Sequence, residues 1–238
     1  MQYSTFAAID IGSYDVILEI FEISKKQGIR SVDKICHRME LGKDTYTLGK
    51  IRPEMEEELC RVLADFVRIM EGYRVDDYRA TASSAISEAS NSLYVLGKIH
   101  QLTGFSVTVL SNSEQRFLSY KALAAMEDNF NKIIEKGTAI LDLDGGSFQI
   151  SLFDKDALVT TQNIRMGSLR IRERLAGIQS ETEHYEEMVE ELIWNEVSSF
   201  KKMYLKDRKI ENIMLIGDVF TDSVYQNIEE KTTKNHFP

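Results

Sequence analysis

Leu141-Asp142-Leu143-Asp144-Gly145-Gly146-Ser147 is the stretch whose reading decides the fold of this chain. It follows the run Gly137-Thr138-Ala139-Ile140, and apolar alternation resumes at Phe148, Ile150 and Leu152. The pattern predicts strand, tight turn, strand. The glycines let the backbone fold sharply and approach a ligand closely. Such a turn exposes N–H groups that can receive phosphate, and Asp142, at the strand end, can hold a cation. A second copy of the pattern lies at Phe6-Ala7-Ala8-Ile9-Asp10-Ile11-Gly12-Ser13, followed by Val16, Leu18 and Ile20. Two Asp-Gly hairpins predict two related half-domains, residues 1–128 and 129–238, facing one cleft.

Composition narrows the function classes. A chain of 238 residues has room for two modest domains, and 43% hydrophobic residues with two prolines fit an ordered, helix-rich globular protein. The net charge of −9 argues against nucleic-acid binding. It also means that a polyanionic substrate needs a local basic cluster or a metal. Cys36 and Cys60 are too few for a disulfide framework, match no metal spacing and read as reduced thiols. His37, His100, His184 and His236 have neither metal spacing nor a nucleophile partner. Residues 1–13 lack a basic region followed by an apolar run, so no secretory leader is expected. No apolar run reaches about 18 residues, so no membrane span is expected. A cytoplasmic location is the expectation.

Strands are expected over residues 5–12, 15–23 and 28–39, and a polar loop over 40–51. A helix is expected from Pro53–Glu54 to Tyr73, where Leu59, Val62, Leu63, Phe66 and Met70 recur at helical spacing. A short strand over 78–83, helix pieces over 85–102 and a strand over 105–110 follow. Ser111-Asn112-Ser113-Glu114 carries a capping signature for a helix to about Glu127. The second half repeats the order: strands over 137–143, 147–154 and 157–165, a helix from Ser168, and a long helix over 181–204. A strand over 212–217 and a helix over 221–229 complete it. Twice-repeated strands then helices give an α/β protein with two mixed sheets.

Five motifs in order resemble the exopolyphosphatase / guanosine pentaphosphate phosphohydrolase (Ppx/GppA) family of the actin-like ATPase superfamily. They are Ala8-Ile9-Asp10-Ile11-Gly12-Ser13, Ser84-Ala85-Ile86-Ser87-Glu88-Ala89, Leu110-Ser111-Asn112-Ser113-Glu114-Gln115, Asp142-Leu143-Asp144-Gly145-Gly146-Ser147 and Arg165-Met166-Gly167-Ser168-Leu169-Arg170. The resemblance implies a two-lobed actin-like ATPase (ribonuclease H-like) α/β fold, with a mixed sheet in each lobe and an interlobe cleft. It implies phosphate held by Gly12, Ser13, Gly145, Gly146, Ser147 and Arg165, with magnesium near Asp10 and Asp142. It also implies a glutamate general base at the start of the helix after the Leu-Ser motif. Polyphosphate or a guanosine polyphosphate is the implied ligand, and a homodimer is compatible with it.

The chain departs from the family pattern where chemistry is expected. The base position is Gln115, which orients a water but takes no proton. Glu114 is the neighbouring carboxylate, but adjacent helix residues point about 100° apart. Asp144 replaces a loop glycine, Gln149 replaces a glutamate, and Ser87 replaces an arginine. Gly217-Asp218-Val219-Phe220-Thr221 lacks the second glycine of the family's late turn, and the family continues well past it, so the second lobe reads as truncated. Three readings follow: a divergent binder with weak or no hydrolysis, an active phosphoanhydride hydrolase, and a non-catalytic scaffold. The joint losses favour the first.

Overall fold

The computed structural model describes residues 3–126, 129–177, 184–205 and 208–217. The expected boundary at residue 128, the start of the long helix at Glu181, the late turn beyond Gly217 and the helix over 221–229 lie outside the described residues. The chain divides into two compact units, Met1–Leu118 and Ser119–Pro238.

In the first unit, β1 (Ser4–Ile11), β2 (Asp15–Ser24), β3 (Gly28–Arg38), β4 (Asp77–Ala82) and β5 (Val107–Val109) form one sheet in the order β3-β2-β1-β4-β5. The β1–β2–β3 meander is antiparallel, whereas β1–β4 and β4–β5 are parallel. Alternation does what the sequence predicts. Ala7, Ile9 and Ile11 on β1 and Val16, Leu18 and Ile20 on β2 are buried. They share a core with Leu59, Leu63, Phe66 and Met70 of the amphipathic helix α2 (Pro53–Tyr73). Helices α3 (Ser84–Ser87) and α4 (Ser92–Thr103) add Ala85, Ile86, Val95 and Ile99 to that core.

The second unit repeats the topology. Its strands are β6 (Thr138–Leu143), β7 (Phe148–Asp154), β8 (Ala157–Ile164) and β9 (Asn212–Ile216), in the order β8-β7-β6-β9. Again the first three are antiparallel, and the first strand of the unit pairs in parallel with the fourth. β7 is buried on both faces. Phe148, Ile150 and Leu152 pack with Phe200 of α8 (Tyr185–Tyr204), while Phe153 packs with Phe130 and Ile134 of α6 (Phe130–Ile134). α7 (Ser168–Leu175) follows β8. Asp10 and Asp142 hold equivalent places: Asp10 opposes Ile17 on β2 and Thr81 on β4, and Asp142 opposes Gln149 on β7 and Ile216 on β9.

One expectation fails. Residues 40–51 are not all loop, because Leu41–Leu48 is a helix, α1. Eight residues rich in polar and β-branched side chains do not make a helix alone, so tertiary contacts make it. Met39 N and Glu40 N donate to Tyr14 O, and Gly42 N donates to Ser13 O. Glu40 starts the helix in a left-handed conformation (φ 55°), which is uncommon for a residue with a Cβ. Asp44, only 2% exposed, accepts the Arg52 main-chain N–H at 2.9 Å and the Arg52 guanidinium at 2.9 Å. That carboxylate joins α1 to the start of α2. Asp44→Ala is therefore expected to lower stability by about 1–3 kcal/mol in urea unfolding. Leu48→Ala, at an exposed position of the same helix, should stay within about 0.5 kcal/mol of the parent.

Candidate phosphate-binding turns and the helix that carries the base position

The first turn joins β1 to β2. Gly12 N donates to Asp15 O at 2.9 Å, and a Cβ on Gly12 would stand 3.0 Å from that same oxygen. Ser13 is fully buried, and its Oγ shares a 2.7 Å hydrogen bond with the Tyr46 hydroxyl. Tyr46 also bonds Ser84 Oγ at 2.8 Å, and Ser13 Oγ reaches Ser84 Oγ at 3.4 Å. The Ser13 hydroxyl thus belongs to an internal cluster that ties the turn to α1 and α3. Asp10 is exposed at the end of β1, with Thr81 Oγ1 donating to its Oδ1 at 3.4 Å.

The second turn joins β6 to β7. Asp144 N donates to Ser147 O at 3.0 Å, which closes it, and Gly145 and Gly146 are buried. Its carbonyls point at the start of α7. Ser168 N donates to Asp144 O at 3.2 Å, Leu169 N and Arg170 N donate to Gly145 O at 3.1 Å, and Arg170 Nε donates to Gly146 O at 2.9 Å. A Cβ on Gly167 would stand 2.3 Å from Gly145 O and 2.4 Å from Ser147 N, so only glycine permits this approach. Asn163 Nδ2 donates to Ser147 Oγ at 3.3 Å. Arg165, just beyond β8, is exposed.

Asp142 lies half-buried on β6, and Ser119 Oγ donates to its Oδ2 at 3.4 Å. Burial, with the neighbouring Asp144 carboxylate adding to it, pushes the Asp142 carboxyl up to about 6, against a smaller opposing pull from Ser119. The expected magnesium carboxylates are hard oxygen donors. Among the described residues, however, no three or more His, Cys, Asp or Glu come together as a metal cluster. The protein's own donors at each turn are therefore few, and a bound magnesium ion would take most of its oxygens from water and from the ligand's phosphates.

Helix α5 (Asn112–Met126) carries Gln115, the residue at the expected base position, near its start. Ser111 N and Ser111 Oγ both donate to Glu114 Oε2, at 2.8 and 2.7 Å, and Ser111 Oγ accepts the Glu114 N–H at 3.3 Å. This is a capping box. The Ser111 main-chain bond, then its hydroxyl, and then the Arg79 charge hold the Glu114 carboxyl below its ordinary value. A carboxylate so engaged is a poor proton acceptor. Gln115, half-buried, donates its main-chain N–H to Ser111 O at 2.9 Å.

The structure gathers Asp10, Gly12 and Ser13 on one turn, and Asp142, Gly145, Gly146 and Ser147 on its counterpart. Sequence reasoning missed Tyr46, which fastens Ser13, and Ser119, which faces Asp142. It gave Arg170 no role of its own within the fifth motif, whereas its guanidinium bonds the second turn. The signal for Arg170 was its place in the first helical turn after Gly167.

Two sheets of matching topology, each led by an Asp-Gly hairpin, make up the described fold. The chain belongs to the Ppx/GppA phosphatase family, whose model matches residues 19–236. The solved Ppx/GppA protein of Aquifex aeolicus is 22% identical, with 95% of this chain and 71% of that chain covered and a TM-score of 0.69. The exopolyphosphatase of Cytophaga hutchinsonii is 18% identical, with 99% and 73% covered and a TM-score of 0.71. At these identities the likeness carries the fold. Among curated proteins, the bifunctional 3-dehydroquinate synthase/phosphatase of Fusobacterium nucleatum is 22% identical over 94% of this chain and 34% of that protein. Exopolyphosphatase 1 of Mycobacterium leprae is 25% identical over 60% of this chain and 41% of that protein. The matches thus span well under half of each curated relative's length.

The Asp142 environment has a measurable consequence. The folded state holds this proton more tightly than the unfolded chain, so stability falls as pH rises from about 4 through about 6. Asp142→Asn is expected to flatten that stretch of the stability-against-pH curve. Above pH 7 the variant should be more stable than the parent, by on the order of 1–3 kcal/mol in urea unfolding. An unchanged pH profile would show that Asp142 does not hold its proton.

Proposed function

We propose that this chain binds polyphosphate or a guanosine polyphosphate at its glycine turns and hydrolyses it weakly or not at all. The observation that carries this reading is the start of α5. The base position is an amide, Gln115, and the adjacent carboxylate, Glu114, is held by Ser111 as the helix cap. Hydrolysis of a phosphoanhydride needs a positioned water, charge neutralisation and a proton acceptor. Gln115 can supply only the first of these.

Support for binding comes from the paired hairpins. Gly12 and Ser13 on one, and Gly145, Gly146 and Ser147 on the other, follow strand-end carboxylates in equivalent register. Arg165 adds a cation next to the second. In this reading magnesium is held near Asp10 and Asp142 and neutralises the phosphates when bound. The names of the exopolyphosphatase relatives make polyphosphate the first ligand to try. Two free thiols, Cys36 and Cys60, fit a reducing cytoplasm. Among the described residues no helix is long and apolar enough to cross a membrane.

With magnesium, the purified chain is expected to release phosphate from long-chain polyphosphate or guanosine pentaphosphate about 10²–10⁴-fold more slowly than a family member with a glutamate base. Gln115→Glu alone should not restore such rates, because Asp144, Gln149 and Ser87 remain. Brisk release by the parent chain overturns the reading. Calorimetry with polyphosphate and guanosine tetraphosphate separates a binder, which gives heat, from a scaffold, which gives none.

A further inference from the structure

The acid that replaces a loop glycine does more than repel a ligand. Asp144 is 9% exposed, and its Oδ1 accepts the Gly145 N–H at 2.5 Å. That N–H is one of the donors a glycine turn offers to phosphate. The other nearby anion receptor is equally engaged. The first amides of α7, which would ordinarily receive an anion, donate to the carbonyls of Asp144 and Gly145. The turn therefore carries its own anion, bonded where an incoming oxyanion would be received.

We propose that Asp144 is the affinity-setting residue of the second turn, an internal carboxylate that competes with the ligand's phosphate for the Gly145 amide. The inference rests on the reading that the turns hold phosphate. A ligand oxygen must displace Asp144 Oδ1 or approach beside a buried carboxylate, and both lower affinity. The first turn has no acidic counterpart at this place: the residue after Asp10-Ile11 is Gly12, and after Asp142-Leu143 it is Asp144. The two turns thus differ in how readily they accept an anion, and the second is the tighter filter.

The test is calorimetric titration of the whole chain, in magnesium, with inorganic tripolyphosphate, for the parent, Asp144→Asn and Asp144→Gly. Asparagine keeps the size and can still accept the Gly145 N–H, but it removes the charge. Glycine removes both. The expected order of affinity is Gly, then Asn, then the parent, with Asp144→Gly about 10- to 100-fold tighter than the parent. A readout without ligand goes with it: the Gly145 amide proton resonance should move upfield in Asp144→Gly, as its carboxylate bond is lost. A parent that binds as tightly as both variants overturns this inference and leaves the binding reading standing. Absence of binding by all three overturns both. An unmoved Gly145 resonance overturns the internal contact itself.

Discussion

The close approach of Gly167 to Gly145 is the constraint on which the second unit depends. No side chain fits between the two backbones. The missing Cβ lets the first amides of α7 reach the turn carbonyls, and Arg170 reaches the same turn from its side chain. The turn thus forms one end of the helix's hydrogen-bond ladder and settles amides that would otherwise lack partners. β6 and β7 leave this turn in fixed register, Leu143 opposite Phe148, and the rest of the sheet follows from that pair. A second glycine works in the same way: at Gly217, just past β9, a Cβ would collide with the Leu143 carbonyl.

The first unit uses the same device and adds to it. Its turn is fastened to α1 by the Ser13 and Tyr14 carbonyls and also by side chains, with Ser13, Tyr46 and Ser84 sharing one hydroxyl cluster. One motif of sequence, an Asp followed by a glycine turn, is therefore held by backbone carbonyls in both units, with a hydroxyl cluster added in the first. The chemistry offered to a ligand differs accordingly. The first turn is lined by neutral hydroxyls beside an exposed Asp10, and the second by a buried carboxylate beside a half-buried Asp142.

Much of this was legible in the sequence. Alternation at Ala7, Ile9, Ile11 and at Val16, Leu18, Ile20 announces the first hairpin, and Phe148, Ile150 and Leu152 announce part of the second. The capping signature from Ser111 to Glu114 is present as read. What was not legible depends on contacts between distant positions. α1 forms because Tyr14, Ser13 and Arg52 receive it, not because Leu41–Leu48 prefers a helix. β5 is shorter than the apolar run over 105–110 suggests, since Phe105 leaves the ladder to pack in the core against Tyr78, with ring centroids 5.1 Å apart. Ser119 lies 23 positions from the Asp142 it faces, and no periodicity reports that.

The way the second turn is fastened also governs how it can change. Main-chain carbonyls of residues 144–146 accept the Ser168, Leu169 and Arg170 N–H groups and the Arg170 Nε–H of α7. In the first unit the Ser13 side chain is itself part of the fastening. An exchange of the Ser13 side chain therefore takes away part of the first turn's hold, whereas these carbonyl bonds of the second turn stay in place through any side-chain exchange at residue 144 that keeps the backbone path.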